Sequence, residues 1–249
     1  MQENKELYTN SGKLDLIVTP IFGIGLFIMM IAVWSYSEFD NTTADILSSE
    51  KLISQIVETL FIGVCSSFLV VITAIPIGIG VTRSSSEKLK NYLISTLGLG
   101  QALPAYGLLV VFFIFMGQGA VTVIFALAFF TLLPVLRNTI VGLEQVDKSV
   151  IEAGRGMGYS NLQTLLKIEL PLAVPIIVAG IRTSVVINIG MAALAFIIGG
   201  GGLGETINSG LKLNRSVAIF IGASLVALLA LVFDFIGAVS QRYLKPKGL

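Results

Sequence analysis

The chain of 249 residues contains no histidine and a single cysteine, Cys65. Without an imidazole there is no Ser-His or Cys-His nucleophile pair and no His-ligated metal site. Cys65 has no partner within the chain for a disulfide, and it lies inside an apolar run. Carboxylates within the apolar stretches are few and far apart, so no acid–base dyad of an intramembrane enzyme emerges. The run Gly199-Gly200-Gly201-Gly202-Leu203-Gly204 is rich in glycine but lacks the GK[ST] ending of a phosphate-binding loop. The residues left with chemistry are polar groups set in hydrophobic sequence: Arg182, Asn188 and Asp234, with Glu58 near the start of another apolar stretch. A charge near the middle of a bilayer costs about 2.5–3.5 kcal/mol on insertion scales. Arg182 and Asp234 therefore either pair or face a polar interior, or else lie near an interface and snorkel. Asn188 either lines a polar path or bonds a neighbouring helix.

The elements that must carry these groups are membrane spans. Hydrophobic residues make up 55% of the chain and charged residues 12%, about half the charge of a soluble domain. Mean hydropathy is +0.90. A span needs about 20 mostly apolar residues. Such stretches run from Leu16 to Trp34, from Ile56 to Val81, from Leu172 to Ile198 and from Ser216 to Ser240. The first reads as a retained anchor, because no small-residue cleavage site follows it. Between Asn91 and Leu136 there is no Asp, Glu, Lys or Arg. That length suits two spans, with Gly117-Gln118-Gly119 as the turn. The expectation is an all-α polytopic membrane protein of about six helices, with a peripheral first helix and a core of five.

Loop charge gives the expected orientation. Six spans put both termini on one side, and that side collects twelve Lys and Arg against three on the other. By the positive-inside rule both termini face the cytoplasm. A net charge of +1 without a basic stripe argues against a nucleic-acid partner.

The long polar loop, from about Asn138 to Pro171, is expected on the same side. Its pattern reads as two short helices joined at Gly158, the second amphipathic through Leu162, Leu165, Leu166 and Ile168. Gly158 supplies a left-handed turn, and Ser160 or Asn161 caps the second helix. Within it, Glu152-Ala153-Gly154, then three residues, Gly158, nine residues, Ile168, one residue and Leu170-Pro171 resemble the EAA loop of ABC importer permeases. Gly154 departs from the family, which most often has alanine there; both are small, so packing is expected to change little.

The resemblance covers about Ile56 to Ser240 and implies a type I importer core of five helices. It implies domains at 1–50 (tail, first helix and acidic external loop), 51–240 (permease domain, with its coupling loop near 144–171) and 241–249 (basic tail). It implies that Glu152, Ala153, Gly154, Gly158, Ile168, Leu170 and Pro171 couple the permease to an ATPase. The chain itself then has no catalytic residue, no metal and no directly bound cofactor, and ATP is used by a partner. The implied partners are a second permease, two ATP-binding subunits, an extracytoplasmic binding protein and the bilayer of a bacterial cytoplasmic membrane. Arg182, Asn188 and Asp234 become candidates for the translocation path. Leu133-Pro134 with Arg137-Asn138-Thr139, Gly180-Ile181-Arg182-Thr183 and the glycine run resemble permeases for osmoprotectants such as glycine betaine, choline and carnitine. Methionine or another small solute is the alternative cargo. A passive channel needs no EAA loop.

Overall fold

The computed structural model describes residues 2–84 and 86–244. Helix α1 (Gln2–Tyr36) crosses first, followed by the short α2 (Asn41–Ile46) and the long α3 (Ser49–Arg83). Next come α4 (Glu87–Ala102), α5 (Ala105–Met116) and α6 (Ala120–Glu144). After α7 (Lys148–Gly156) and α8 (Asn161–Thr164), a π-helical turn (Leu165–Glu169) leads into α9 (Leu170–Ala192). A 3₁₀ turn (Ala195–Ile198), α10 (Gly204–Lys212) and α11 (Ser216–Tyr243) complete the described chain. Among the described residues, five helices are long and apolar enough to cross a membrane.

Several boundaries differ from the sequence expectation. The first span is found at Ile17–Tyr36, close to the expected Leu16 to Trp34, within a helix that begins earlier, at Gln2. The expected third span is two helices, α4 and α5, neither long enough alone. Pro104 breaks it, because proline lacks the backbone donor and forces Leu103 out of helical geometry. Pro76 and Pro134 lie inside α3 and α6 without interrupting them. The polar loop is shorter than expected: α6 runs on to Glu144, so Asn138 to Leu143 belong to a span. The expected second short helix is not separate either, because α8, the π-turn and α9 form one continuous element from Asn161 to Ala192. That span stops at Ala192, and the glycine run lies beyond it, leading into α10. Lys245 and Lys247 of the basic tail lie outside the described residues.

The bundle is held as helices in lipid are held. Helix α3 buries Gln55, Thr59, Gly63, Ser66, Ser67, Ala74 and Gly78 among its inward residues. Its outward face carries Ile53, Val57, Phe61, Phe68 and Ile72. Inside, small and polar residues sit among Ile62 and Val70, while these outward residues are large and apolar. Lipid tails are as apolar as leucine, so close approach and hydrogen bonds drive association instead. A Cβ on Gly63 would lie 2.7 Å from Ile189 of α9, and one on Gly78 2.7 Å from Thr139 of α6. Buried hydroxyls bond their own helix: Thr59 donates to the Gln55 carbonyl at 2.7 Å and Thr139 to Val135 at 2.7 Å. Nothing polar is left facing hydrocarbon at these positions.

Helices α3, α6 and α9 form the centre, with α11 packed on α9 and α1 on the outside of α11. None of the apolar window of α1 is buried, which makes it the peripheral helix expected. The chain therefore has two ends. The proximal end holds α7, α8 and the close of α3, α6 and α11. The distal end holds α2, the glycine run and α10.

Candidate functional site

At the proximal end, Asp147 caps α7 by accepting the Ser149 backbone N–H at 2.8 Å. That backbone N–H and the Ser149 side chain hold the exposed Asp147 carboxyl below its usual value, so the cap persists until strongly acidic pH. Helix α7 closes with a Schellman turn: the Tyr159 N–H donates to Gly154 O at 3.1 Å and the Gly158 N–H to Arg155 O at 2.9 Å. Gly158 holds φ +87°, the left-handed conformation its position requires. Ser160, not Asn161, starts α8, through a reciprocal capping box with Gln163.

Gly154 is buried against Ile168, and a Cβ there would fall 2.3 Å from the Ile168 Cδ1. The two halves of the motif thus meet in space. Alanine at 154 would not be neutral to packing, as the sequence reading expected; the end of the Ile168 side chain must move. Glu152, Ala153, Gly158 and Pro171 are exposed, while Ile168 and Leu170 are half-buried. Around them Val150, Met157, Leu162 and Leu166 are also exposed, Met157 at 68%. Among the described residues, these apolar side chains of a polar connecting segment are left accessible. Glu169 is buried and forms an ion pair with Arg83 at the end of α3. Lys90 of α4 pairs with Glu144 at the end of α6.

Inside the bundle, Arg182 and Asp234 form a two-point pair, with Nε to Oδ1 at 2.6 Å and Nη2 to Oδ2 at 2.7 Å. The fork geometry satisfies both carboxylate oxygens. Thr19 of α1 adds a third bond, donating to Asp234 Oδ2 at 3.3 Å. Gly237 lets α11 lie against the Arg182 stem, where a Cβ would be 2.7 Å from Cγ. The pair therefore joins α9, α11 and α1. Asn188 is fully buried. Its side-chain amide bridges the Ser67 hydroxyl of α3 at 3.0 Å and the Thr131 hydroxyl of α6 at 3.1 Å. Of the two roles open to it in the sequence, the geometry is that of a bond between helices.

At the distal end, the start of α3 holds the glycine run. Glu58 Oε2 accepts the Gly202 N–H at 2.7 Å, and the Thr59 hydroxyl accepts the Leu203 N–H at 2.9 Å. Thr206 donates to the Gln55 side chain at 2.5 Å. Gly201 and Gly202 have φ of +78° and +93°, and a Cβ on Gly201 would lie 2.4 Å from Glu58. The sequence places Glu58 near the start of an apolar stretch but does not single out Gln55 or Thr59. A cue was present: Gln55, Glu58 and Thr59 recur at helical three- and four-residue spacing, so they share one face.

Comparison with known proteins agrees with this architecture. Residues 74–247 match the family described as the inner membrane component of binding-protein-dependent transport systems. The chain belongs to that family. The glycine betaine/carnitine/choline transport system permease protein OpuCB of Bacillus subtilis is 42% identical over 77% of this chain and 88% of its own. The choline transport system permease protein OpuBB of the same organism is 40% identical over 80% of this chain and 91% of its own. The permease is thus an ABC importer component resembling those for osmoprotectants. In fold it is similar to a chain of the methionine transporter MetNI in an inward-facing conformation, with a TM-score of 0.69 at 23% identity, covering 79% of this chain and 97% of that one.

Proposed function

We propose that this permease forms half of the membrane path of an ATP-driven importer for osmoprotectants of the quaternary-ammonium class. Segment 145–171 is the docking element for an ATP-hydrolysing subunit in the cytoplasm, and both termini lie on that side. A second permease, two ATP-binding subunits and an extracytoplasmic binding protein complete the machine. The observation that carries the coupling reading is the exposed group Val150, Met157, Leu162 and Leu166 around the Gly154–Ile168 contact. A surface of that kind on a loop outside the membrane needs a cover. The helical segment rests on the Schellman turn and the Arg83–Glu169 pair. Closure of the partner's cleft would therefore move α9 with it, as in a shear or hinge transition.

The cargo reading is supported by the printed names of the relatives at about 40% identity. Uptake of labelled glycine betaine by cells or proteoliposomes carrying the complex tests it. Unlabelled betaine, choline or carnitine should compete and methionine should not. Competition by methionine with none by betaine would overturn the cargo.

A further inference from the structure

Helix α3 is bonded through side chains at both ends of the molecule. At the proximal end its last residue, Arg83, pairs with Glu169, whose side chain is 4% exposed. Glu169 closes the π-helical turn between α8 and α9, inside the segment proposed to dock the ATPase. At the distal end Gln55, Glu58 and Thr59 hold Thr206, Gly202 and Leu203. In between, Ser67 is tied to Asn188 of α9.

We propose that Arg83 and Glu169 are positioning residues, and that through them α3 carries displacement of segment 145–171 to the glycine run at the opposite end. The inference rests on the coupling reading above. Three physical points support it. An α-helix rises 1.5 Å per residue, so the 35 residues of α3 make a rod roughly 52 Å long, continuous across Pro76 although that residue lacks one backbone donor. A buried carboxylate facing a guanidinium keeps that partner when its backbone moves, because separation would leave the charge unpaired. The π-turn is a local departure from α geometry of a kind frequent at functional sites. Motion arriving at Arg83 thus reappears at Gln55–Thr59. There Glu58 fills the space where a Gly201 side chain would be, so the glycine run must follow.

The test uses the complete complex with its ATPase subunits and binding protein, reconstituted in proteoliposomes. The variants are Arg83→Gln, Glu169→Gln, Arg83→Lys and the exchange Arg83→Glu with Glu169→Arg. ATP hydrolysis, cargo moved per ATP, and a fluorescent label at Leu211→Cys on exposed α10 in a Cys65→Ala background are followed together. For both glutamine variants the expected result is an assembled complex hydrolysing ATP within about twofold of wild type. Cargo per ATP falls about fivefold or more, a coupling loss of the usual allosteric size. The ATP-dependent change at the α10 label disappears as well. Arg83→Lys, which keeps the charge, retains part of both signals, and the exchange restores part of them. Unchanged cargo per ATP and an unchanged label response would overturn the proposal. So would equal loss of hydrolysis and transport without rescue by lysine or the exchange, since that is what a purely structural pair gives. A wild-type complex that moves no cargo with ATP refutes the coupling reading itself, and the strut falls with it.

Discussion

Both ends of the permease place glycines at positive φ, but they differ in how their loops are covered. At the distal end, the space beside each glycine from 200 to 204 is occupied. A Cβ on Gly204 would lie 1.7 Å from the Ala193 carbonyl oxygen, one on Gly200 2.8 Å from Val123, and one on Gly201 2.4 Å from Glu58. At the proximal end Gly158 has open space around it and is needed only for its φ of +87°. The distal loop is closed on itself by Gln55, Glu58 and Thr59, whereas the proximal loop leaves Met157, Leu162 and Leu166 uncovered. The glycine run is fastened within the chain, while Leu211 and Leu213 beside it stay exposed. The proximal segment is shaped and capped but presents its apolar residues outward, which suits the docking role proposed for it.

The strongest way to break this contrast is Gly204→Val. The added side chain has nowhere to go without moving the Ala193 backbone, and overpacking of this kind costs about 1–3 kcal/mol or more. Most of the folded permease should be lost from detergent-extracted membranes, measured by size-exclusion chromatography. Of similar size is Asp234→Ala, which strands Arg182 within the bundle. A broken buried pair costs about 3–5 kcal/mol, and the lower end applies to a pair left about one-fifth accessible. The double change Arg182→Met with Asp234→Leu should recover most of the thermal stability. Failure to recover would mean that the pair does more than hold α9 to α11.

Gly158→Ala should act differently. A left-handed alanine costs about 1–2 kcal/mol, confined to the end of α7. The permease should still insert and show nearly the wild-type melting temperature, while ATP-driven uptake falls several-fold. A large loss of folded protein would erase the distinction between the two ends. Smallest is Gly154→Ala, where a gain of about 1 kcal/mol in helix propensity offsets displacement of the Ile168 methyl. Thermal unfolding should shift by no more than about 1 kcal/mol, with uptake retained.

The difference between the ends also explains what the sequence made legible. Spans are long-range composition, so α1, α3, α6, α9 and α11 could be read from apolar length. The turn at Gly158 could be read because a helix stop has a local residue signature. The break at Pro104 was not anticipated, because Pro76 and Pro134 look the same in sequence and leave their helices whole. The local sequence alone does not separate the three cases. The distal lock was missed for a related reason. Gln55, Glu58 and Thr59 are about 144–151 positions away from the backbone they hold, a pairing that exists only after α3 and α9 have packed. The same holds for Arg83 with Glu169, whose partners are 86 positions apart. Arg182 and Asp234 could be named as residues needing an explanation, since charge in hydrocarbon is costly. Their two-point bond, and the contribution of Thr19 from the peripheral helix, required the fold.

Cysteine cross-linking within the assembled complex tests the central claim most directly. In a Cys65→Ala background, Met157→Cys on the proximal segment is compared with Tyr36→Cys at the distal end of α1, both highly exposed positions. With a short bifunctional reagent, Met157→Cys should join the co-purified ATP-binding subunit in high yield, and Tyr36→Cys should give no such product. An ATP-binding subunit that co-purifies but cross-links only at the distal position, or not at Met157→Cys at all, would contradict the account.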